Sequence, residues 1–513
     1  MAKKVKSKRK CGILMPVFSL PSKYGIGSFS KEAYDFVDFL ERTGQSYWQI
    51  LPLGPTSYGD SPYQSFSTYA GNPYFVDFDD LLGKGFLTEK DLKTVDFGTN
   101  EEKIDYAKLF KTRFDVLNKA YVNSGLSLSS TKAPEPGFKK EYDAFTKENS
   151  WWLDDYALYM ALKNRYDGLS WIEWPEDIRL RKKDALEKAR KEYADKAGLY
   201  KFIQFMFMKQ WFALKKYAND KNIDIIGDIP IYVAFDSADT WSHPELFKLD
   251  KKNRPTAVAG CPPDAFSATG QLWGNPLYKW DYHKKTGFKW WIQRIEQCYK
   301  LYDVIRIDHF RGFDEYYAIP FGDPTAENGK WEQGPGYDLF ATVKKELGDL
   351  RIIAEDLGYL TPSVIKLVKK TGFPGMKILQ FAFDTREESD YLPHNYIPNS
   401  IVYTGTHDNE TTCGWYKDIP RSDRNFAKKY LGIKSSKNVT WEFIRACLMS
   451  VSDIAIIPMQ DYLELGNEAR INTPSTLGGN WVWRMKKDAI TKELCEKMLE
   501  MAKIYGRAKA CQK

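Results

Sequence analysis

Short apolar runs that end in polar or charged residues recur along the chain, with amphipathic stretches between several of them. The clearest are 12–18, 47–53, 223–231, 304–309, 351–355, 377–383, 400–406 and 454–459. Runs this short, bounded by turn residues and interleaved with helical periodicity, predict buried strands. Eight of them with helices between predict an α/β fold, a parallel barrel rather than a sandwich. Their polar residues fall at the C-terminal ends, where the loops of such a barrel build its site.

The spacing of the runs is uneven. Residues 79–222 are rich in Lys, Glu, Leu and aromatics at helical spacing, which predicts a mainly helical insertion. In 250–278 Pro, Gly and small polar residues dominate, which predicts a long loop of the kind that covers active sites. Residues 1–10 read as a basic, disordered tail and 11–513 as one catalytic barrel carrying these interruptions.

Composition narrows the class. Of 513 residues 43% are hydrophobic and 28% charged, the balance of a globular protein with a large core. No stretch approaches the ~20 unbroken apolar residues of a membrane span. The net charge of +7 is concentrated: Lys3, Lys4, Lys6, Lys8, Arg9 and Lys10 supply six of it, and the nearly neutral remainder offers no broad basic face for nucleic acid. The tail followed by Cys11-Gly-Ile-Leu-Met imitates a secretory signal, but Pro16 breaks the apolar run and no small-residue cleavage site follows. Seven scattered cysteines without a C-x-x-C pair predict reduced thiols in a cytoplasm.

Three carboxylate-bearing segments end predicted strands. In Arg306-Ile-Asp-His-Phe-Arg-Gly312, strand alternation puts Arg306 and Asp308 on one face, where Arg306 is expected to lower the Asp308 pKa and keep it ionised. In Arg351-Ile-Ile-Ala-Glu-Asp-Leu-Gly358, Glu355 shares a face with Ile353, so burial is expected to raise its pKa toward that of a general acid; Asp356 reads as a loop or cap residue. In Thr404-Gly-Thr-His-Asp-Asn409, His407 is suited to binding hydroxyl groups and Asp408 to facing a developing positive charge. A lone strand-end Asp is usually a cap or an ion-pair partner, but three acids converging in one concavity point to chemistry. That pattern fits glycoside chemistry or a divalent metal. Few histidines lie nearby and H-x-x-x-H is absent, which favours the former, with no metal and no cofactor. Aromatics in loop-like sequence, among them Tyr58, Tyr63, Tyr69, Trp273, Tyr278 and Trp280, suit the apolar faces of sugar rings, although packing is the default role of such residues.

From about residue 12 to 484 the chain resembles the amylomaltases, the 4-α-glucanotransferases or disproportionating enzymes of glycoside hydrolase family 77. The resemblance rests on ordered motifs: Ser19-Leu-Pro-Ser-Lys-Tyr-Gly-Ile-Gly27, Tyr58-Gly-Asp-Ser-Pro-Tyr-Gln64, Gly71-Asn-Pro-Tyr74, Gly227-Asp-Ile-Pro-Ile231, Pro262-Pro-Asp-Ala-Phe266, Gln271-Leu-Trp-Gly-Asn-Pro276, Arg306 to Gly312, Glu355-Asp-Leu-Gly358 and Thr406-His-Asp-Asn409. It implies a (β/α)8 barrel with helical insertions and retaining chemistry on α-1,4-glucans and maltooligosaccharides. It further implies Asp308 as nucleophile, Glu355 as general acid/base and Asp408 as transition-state stabiliser. Arg306, His309 and His407 would orient the sugar. Asp264, Gln271 and Trp273 would belong to the covering loop, Ser61 and Tyr63 to the substrate lining, and Asn472 to a further sugar contact. The chain departs from the family pattern at Ser475, where Gly usually follows Pro474. An α-amylase-like hydrolase with the same acids, or an idle glucan-binding protein, are the alternatives.

Overall fold

The computed structural model describes residues 9–57, 59–263, 267–358 and 360–508. In chain order its strands are β1 (Lys10–Leu14), β2 (Tyr47–Gln49), β3 (Asp224–Pro230), β4 (Ala257–Cys261), β5 (Gln271–Pro276), β6 (Val304–Asp308), β7 (Glu315–Pro320), β8 (Lys330–Gln333), β9 (Ile352–Ala354), β10 (Gly375–Ile378), β11 (Ser400–Tyr403) and β12 (Ile454–Pro458). Eight close a barrel in the order β1-β12-β11-β10-β9-β6-β3-β2. All its pairings are parallel, and helices lie between most successive strands, so the fold is a (β/α)8 barrel.

Each of the eight predicted runs supplies one barrel strand, though the pairing is often shorter than the run. The run 377–383, for example, ends its strand at Ile378 and continues as the 3-10 turn Leu379–Phe383. Alternation divides the strands into two faces. Leu14, Ile226, Val304, Ile353, Met376, Ile401, Tyr403 and Ile456 fill the barrel interior. Ile225, Ile305, Ile307, Ile352, Val402 and Ala455 join the large core under the helices. Gly12 is required inside: a Cβ there would stand 2.5 Å from Tyr47 Cβ and 2.8 Å from Ile456 Cδ1.

Two expectations are corrected. Segment 250–278 is not a plain loop. It contains β4 and β5, which join β7 and β8 in an antiparallel sheet of order β5-β4-β7-β8. Gly260, Gly274 and Pro276 mask the strand pattern, and β4 takes its second partner from β7, some sixty residues on. The basic tail is shorter than ten residues. Lys10 is paired in β1, and Arg9 donates to the Ser450 carbonyl at 3.0 Å. Buried Arg507 ties the two ends of the barrel, donating to the carbonyls of Lys10 (2.8 Å), Leu448 (2.7 Å) and Ser452 (3.0 Å).

Between β2 and β3 the chain is mainly helical, with Tyr106–Asn123, Pro136–Glu148, Ser150–Arg165 and Ala194–Asp220 the longest segments. The last packs onto the barrel and fixes the loop after β2: buried Gln204 accepts from the Gly71 N–H at 2.7 Å and donates to its carbonyl at 2.8 Å. Among the described residues no helix is long and apolar enough to cross a membrane.

Candidate active site

The inner face of β6 carries Arg306, 3% exposed, and at its C-terminal end Asp308. Asp228 of β3 is the register partner of Arg306, and its side chain is buried. Arg306 Nη1 lies 2.5 Å from Asp228 Oδ2 and 3.1 Å from Asp308 Oδ1, so one guanidinium is shared by two carboxylates. Tyr63 Oη donates to the same Asp228 oxygen at 2.7 Å.

Immediately after Asp308 the backbone enters the left-handed region at His309 (φ 51°, ψ 48°), a conformation that costs a non-glycine residue about 1–2 kcal/mol. The turn aims the His309 N–H at Glu355 Oε2, 2.6 Å away, while the Leu357 N–H donates to Oε1 at 3.1 Å. Glu355 follows β9, whose N–H groups and carbonyls pair with β6, and its own N–H donates to the Ile307 carbonyl at 3.1 Å. Glu355 and Asp308 are thereby held on adjacent strand ends through the residue next to the aspartate. Asp356, in the loop after β9, accepts from the Met376 N–H of β10 at 2.8 Å rather than capping a helix.

After β11, Asp408 Oδ1 accepts from Asn472 Nδ2 at 2.6 Å and lies 3.4 Å from His407 Nε2. Arg470 donates to the carbonyls of Asp408 and Asn472, each at 2.7 Å. Ser475 sits at φ +63°, the left-handed geometry for which glycine is best suited, yet Asn472 keeps its bond to Asp408. Tyr63 stacks on His407 with centroids 5.2 Å apart and planes at 16°. Ser61 supports it from the turn, its Oγ accepting from the Tyr63 N–H at 3.3 Å. On the other side Trp273 stands edge-on to His309 at 4.9 Å, oriented by a 3.1 Å bond from its Nε1 to Gln271 Oε1. Asp264 lies outside the described residues. Tyr278 is buried and bonds the Ile231 carbonyl at 2.8 Å, so it packs the rim rather than facing a ligand.

The electrostatics follow from burial. It raises the Glu355 carboxyl above its ordinary range against the pull of Arg306 and the two N–H donors. Burial also pushes Asp308 well above the usual carboxylate range, with Arg306 opposing and Glu355 and Asp228 adding to the rise. Arg306 pulls Asp308 down as expected, but burial outweighs that pull, so the expectation of a net lowering is corrected. Both acids are thus raised by burial, and the nearby Glu355 charge raises Asp308 further. Burial lowers His309 to about 3 and also lowers His407, so both imidazoles are neutral hydrogen-bonding groups at neutral pH.

The described candidate residues gather at this one mouth, and they are joined there by Asp228, which did not stand out in the sequence. Its signal was an acid inside the run Ile223-Asp-Ile-Ile-Gly-Asp-Ile-Pro-Ile231, where burial without a partner is costly. Among the described residues no cluster of three or more His, Cys, Asp or Glu side chains is placed to hold a metal ion.

Strand-end carboxylates at the C-terminal mouth of a closed parallel barrel define this chain as a barrel enzyme with an acid-lined site. The chain belongs to the 4-alpha-glucanotransferase family: that family's model matches residues 15–491. It is 52% identical over 502 residues to a 4-alpha-glucanotransferase of Streptococcus pneumoniae, covering 98% of each chain. It is 51% identical over 495 residues to one from Clostridium butyricum, covering 96% of this chain and all of the other. Among solved structures, an amylomaltase from Streptococcus agalactiae in complex with acarbose superposes with a TM-score of 0.94 at 46% identity, covering 98% of this chain and 100% of that one.

Proposed function

We propose that the chain transfers a segment of an α-1,4-glucan to the 4-hydroxyl of glucose or of another α-1,4-glucan by retaining double displacement. Glu355 protonates the glycosidic oxygen as Asp308 attacks the anomeric carbon; the C–O bond to the leaving glucan breaks and a glycosyl ester to Asp308 forms. Glu355, now ionised, takes the proton of the acceptor 4-hydroxyl, whose oxygen displaces Asp308 and restores an α-linkage. Asp408 stabilises the oxocarbenium-like transition state. Arg306, His309, His407, Tyr63, Trp273 and Asn472 hold and orient the sugar.

One observation carries this reading above the rest: the N–H of the residue following Asp308 bonds the Glu355 carboxylate at 2.6 Å. That linkage supports the short carboxylate spacing, ~5–5.5 Å, that double displacement requires, because an inverting pair leaves room for a water between the groups. The burial-driven rise of Glu355 suits the acid role, since it must hold a proton before the first step and give it up in it. Transfer outruns hydrolysis when an acceptor sugar rather than water occupies the mouth. The segment bearing Gln271 and Trp273, packed against His309, is the part of the chain suited to exclude water.

Maltotriose tests the proposal. Disproportionation yields glucose and longer maltooligosaccharides with no net rise in reducing ends. A steady rise in reducing ends identifies an α-amylase-like hydrolase instead, and no turnover leaves only a glucan-binding protein.

A further inference from the structure

Asp408 rides on a loop that leaves the barrel at the end of β11 and turns into the helix Thr412–Asp418. One side chain from the neighbouring strand end grips both feet of that loop. Asp461, in the turn Met459–Tyr462 after β12, is 1% exposed, and β12 pairs directly with β11. Its Oδ2 accepts from the Thr404 hydroxyl at 2.5 Å and from the Thr412 hydroxyl at 2.7 Å. Its Oδ1 accepts from the Thr412 N–H at 2.8 Å. Thr404 and Thr412 are themselves fully buried.

The three donors are neutral groups, and a carboxylate taken out of water is costly to keep. Apolar side chains of similar shape would fill the same space without that cost. What the acid adds is geometry. Two hydroxyls meet on one oxygen, so the first and last residues of the excursion 404–412 are fixed side by side and cannot shift independently. The middle of the loop has its own ties: Gln380 Nε2 donates to the Glu410 carbonyl at 3.0 Å, Arg470 to the Asp408 carbonyl at 2.7 Å, and the Thr406 N–H to Asn409 Oδ1 at 2.8 Å. The footing of that shaped loop on β12 is Asp461.

We propose that Asp461 is a positioning residue for the Asp408 carboxylate: by clamping both feet of the loop to β12 it fixes where Asp408 stands, while touching no sugar itself. The proposal rests on the role given to Asp408 in the transferase reading above. Electrostatic stabilisation of a transition state depends on groups placed before the reaction begins, and a displacement of about 1 Å imposed from outside the chemistry can cost about a hundred-fold in rate. Asp408 opposes charge that develops only in the transition state, so disturbing it lowers kcat and leaves KM.

The test uses the full chain. Asp461→Ala is expected to lower kcat for maltotriose at least about ten-fold, with KM changed by less than about two-fold. Asp461→Asn keeps an acceptor for the Thr412 N–H and offers an amide to which the two hydroxyls can turn as acceptors, and is expected to restore most of the rate. A double-mutant cycle with Asp408→Asn separates positioning from mere support. With no carboxylate left to misplace, adding Asp461→Ala is expected to cost less than about two-fold further. A purely structural role lowers the rate by the same factor in both backgrounds. Equal factors, a parental kcat in Asp461→Ala, or a KM that rises while kcat holds overturns the proposal. If Asp461→Ala does not fold, Thr404→Val combined with Thr412→Val, which keeps the side-chain shapes, goes through the same cycle with the same expected outcomes. Amide hydrogen exchange over 404–412 is expected to quicken about ten-fold in these variants while the ends of β6 and β9 stay protected; unchanged exchange also overturns the proposal. An unmodified chain that does not disproportionate maltotriose overturns the transferase reading instead, and the exchange comparison still decides whether Asp461 fixes the loop.

Discussion

Asp228 and Arg306 face each other across β3 and β6 and close a 2.5 Å ion pair inside the barrel, beneath the nucleophile candidate. Asp228 also receives the Tyr63 hydroxyl, and Tyr63 stacks on His407, so one buried carboxylate links the Asp308 side of the mouth to the Asp408 side. Replacing it with Asn leaves Arg306 with Asp308 as its remaining close anionic partner. Asp228→Asn is expected to lower kcat at least ten-fold and to destabilise the fold by about 3–5 kcal/mol, the cost of orphaning one member of a buried pair. Urea unfolding and maltotriose kinetics measure the two effects separately; unchanged kinetics would remove Asp228 from the site.

Asp308→Asn removes the proposed nucleophile and little volume. Turnover is expected to fall at least a thousand-fold, while maltooligosaccharide binding persists. A variant that still disproportionates maltotriose would end the assignment.

The acid pair gives the activity its pH dependence. Both carboxyls are raised by burial, so both limbs of the activity profile are expected at higher pH than ordinary carboxyls would give. Activity is expected to rise with pH as Asp308 ionises and to fall again as the Glu355 proton is lost, a bell whose alkaline limb lies above the ordinary glutamate range. Glu355→Gln is expected to abolish that limb along with most of the rate. A flat profile for kcat/KM would contradict these two roles.

Asp60, outside the catalytic cluster, sits at φ +58°, and burial raises it to about 6. An unfolded aspartate releases its proton near ~3.9. Between these values the folded chain binds more protons than the unfolded one, so this group's contribution to stability declines as pH rises through that window. Asp60→Asn, which tolerates the same backbone geometry, is expected to be more stable than the parent above pH 6 by that partly screened amount. No difference is expected at or below pH 4. Paired thermal melts at the two pH values check the sign.

Gly12→Ala places a methyl against Tyr47 and Ile456 inside the barrel. Overpacking of this kind costs about 1–3 kcal/mol, read as a lower urea midpoint at unchanged slope.

The barrel was legible in the sequence because each strand is a short apolar run with its chemistry at one end. Asp308, Glu355 and Asp408 stood out as acids terminating such runs. The β4–β5 region was not legible, since Ala257-Val-Ala-Gly-Cys261 carries little β-branched signal and its pairing with β7 is set by distant chain. Asp228 was hidden because an acid within a strand gives no sign of its partner until Arg306 is seen opposite. The burial that outweighs Arg306 at Asp308, and the sharing of that guanidinium with Asp228, exist only in three dimensions.

Closure between β1 and β12 also bears on how the chain is made. The outer edge of β1 finds its partner only when residues 454–458 exist, and Arg507 fastens the seam later still. Throughout synthesis of the intervening length that edge stays open to other chains, so the nascent protein carries an aggregation hazard that the finished molecule lacks.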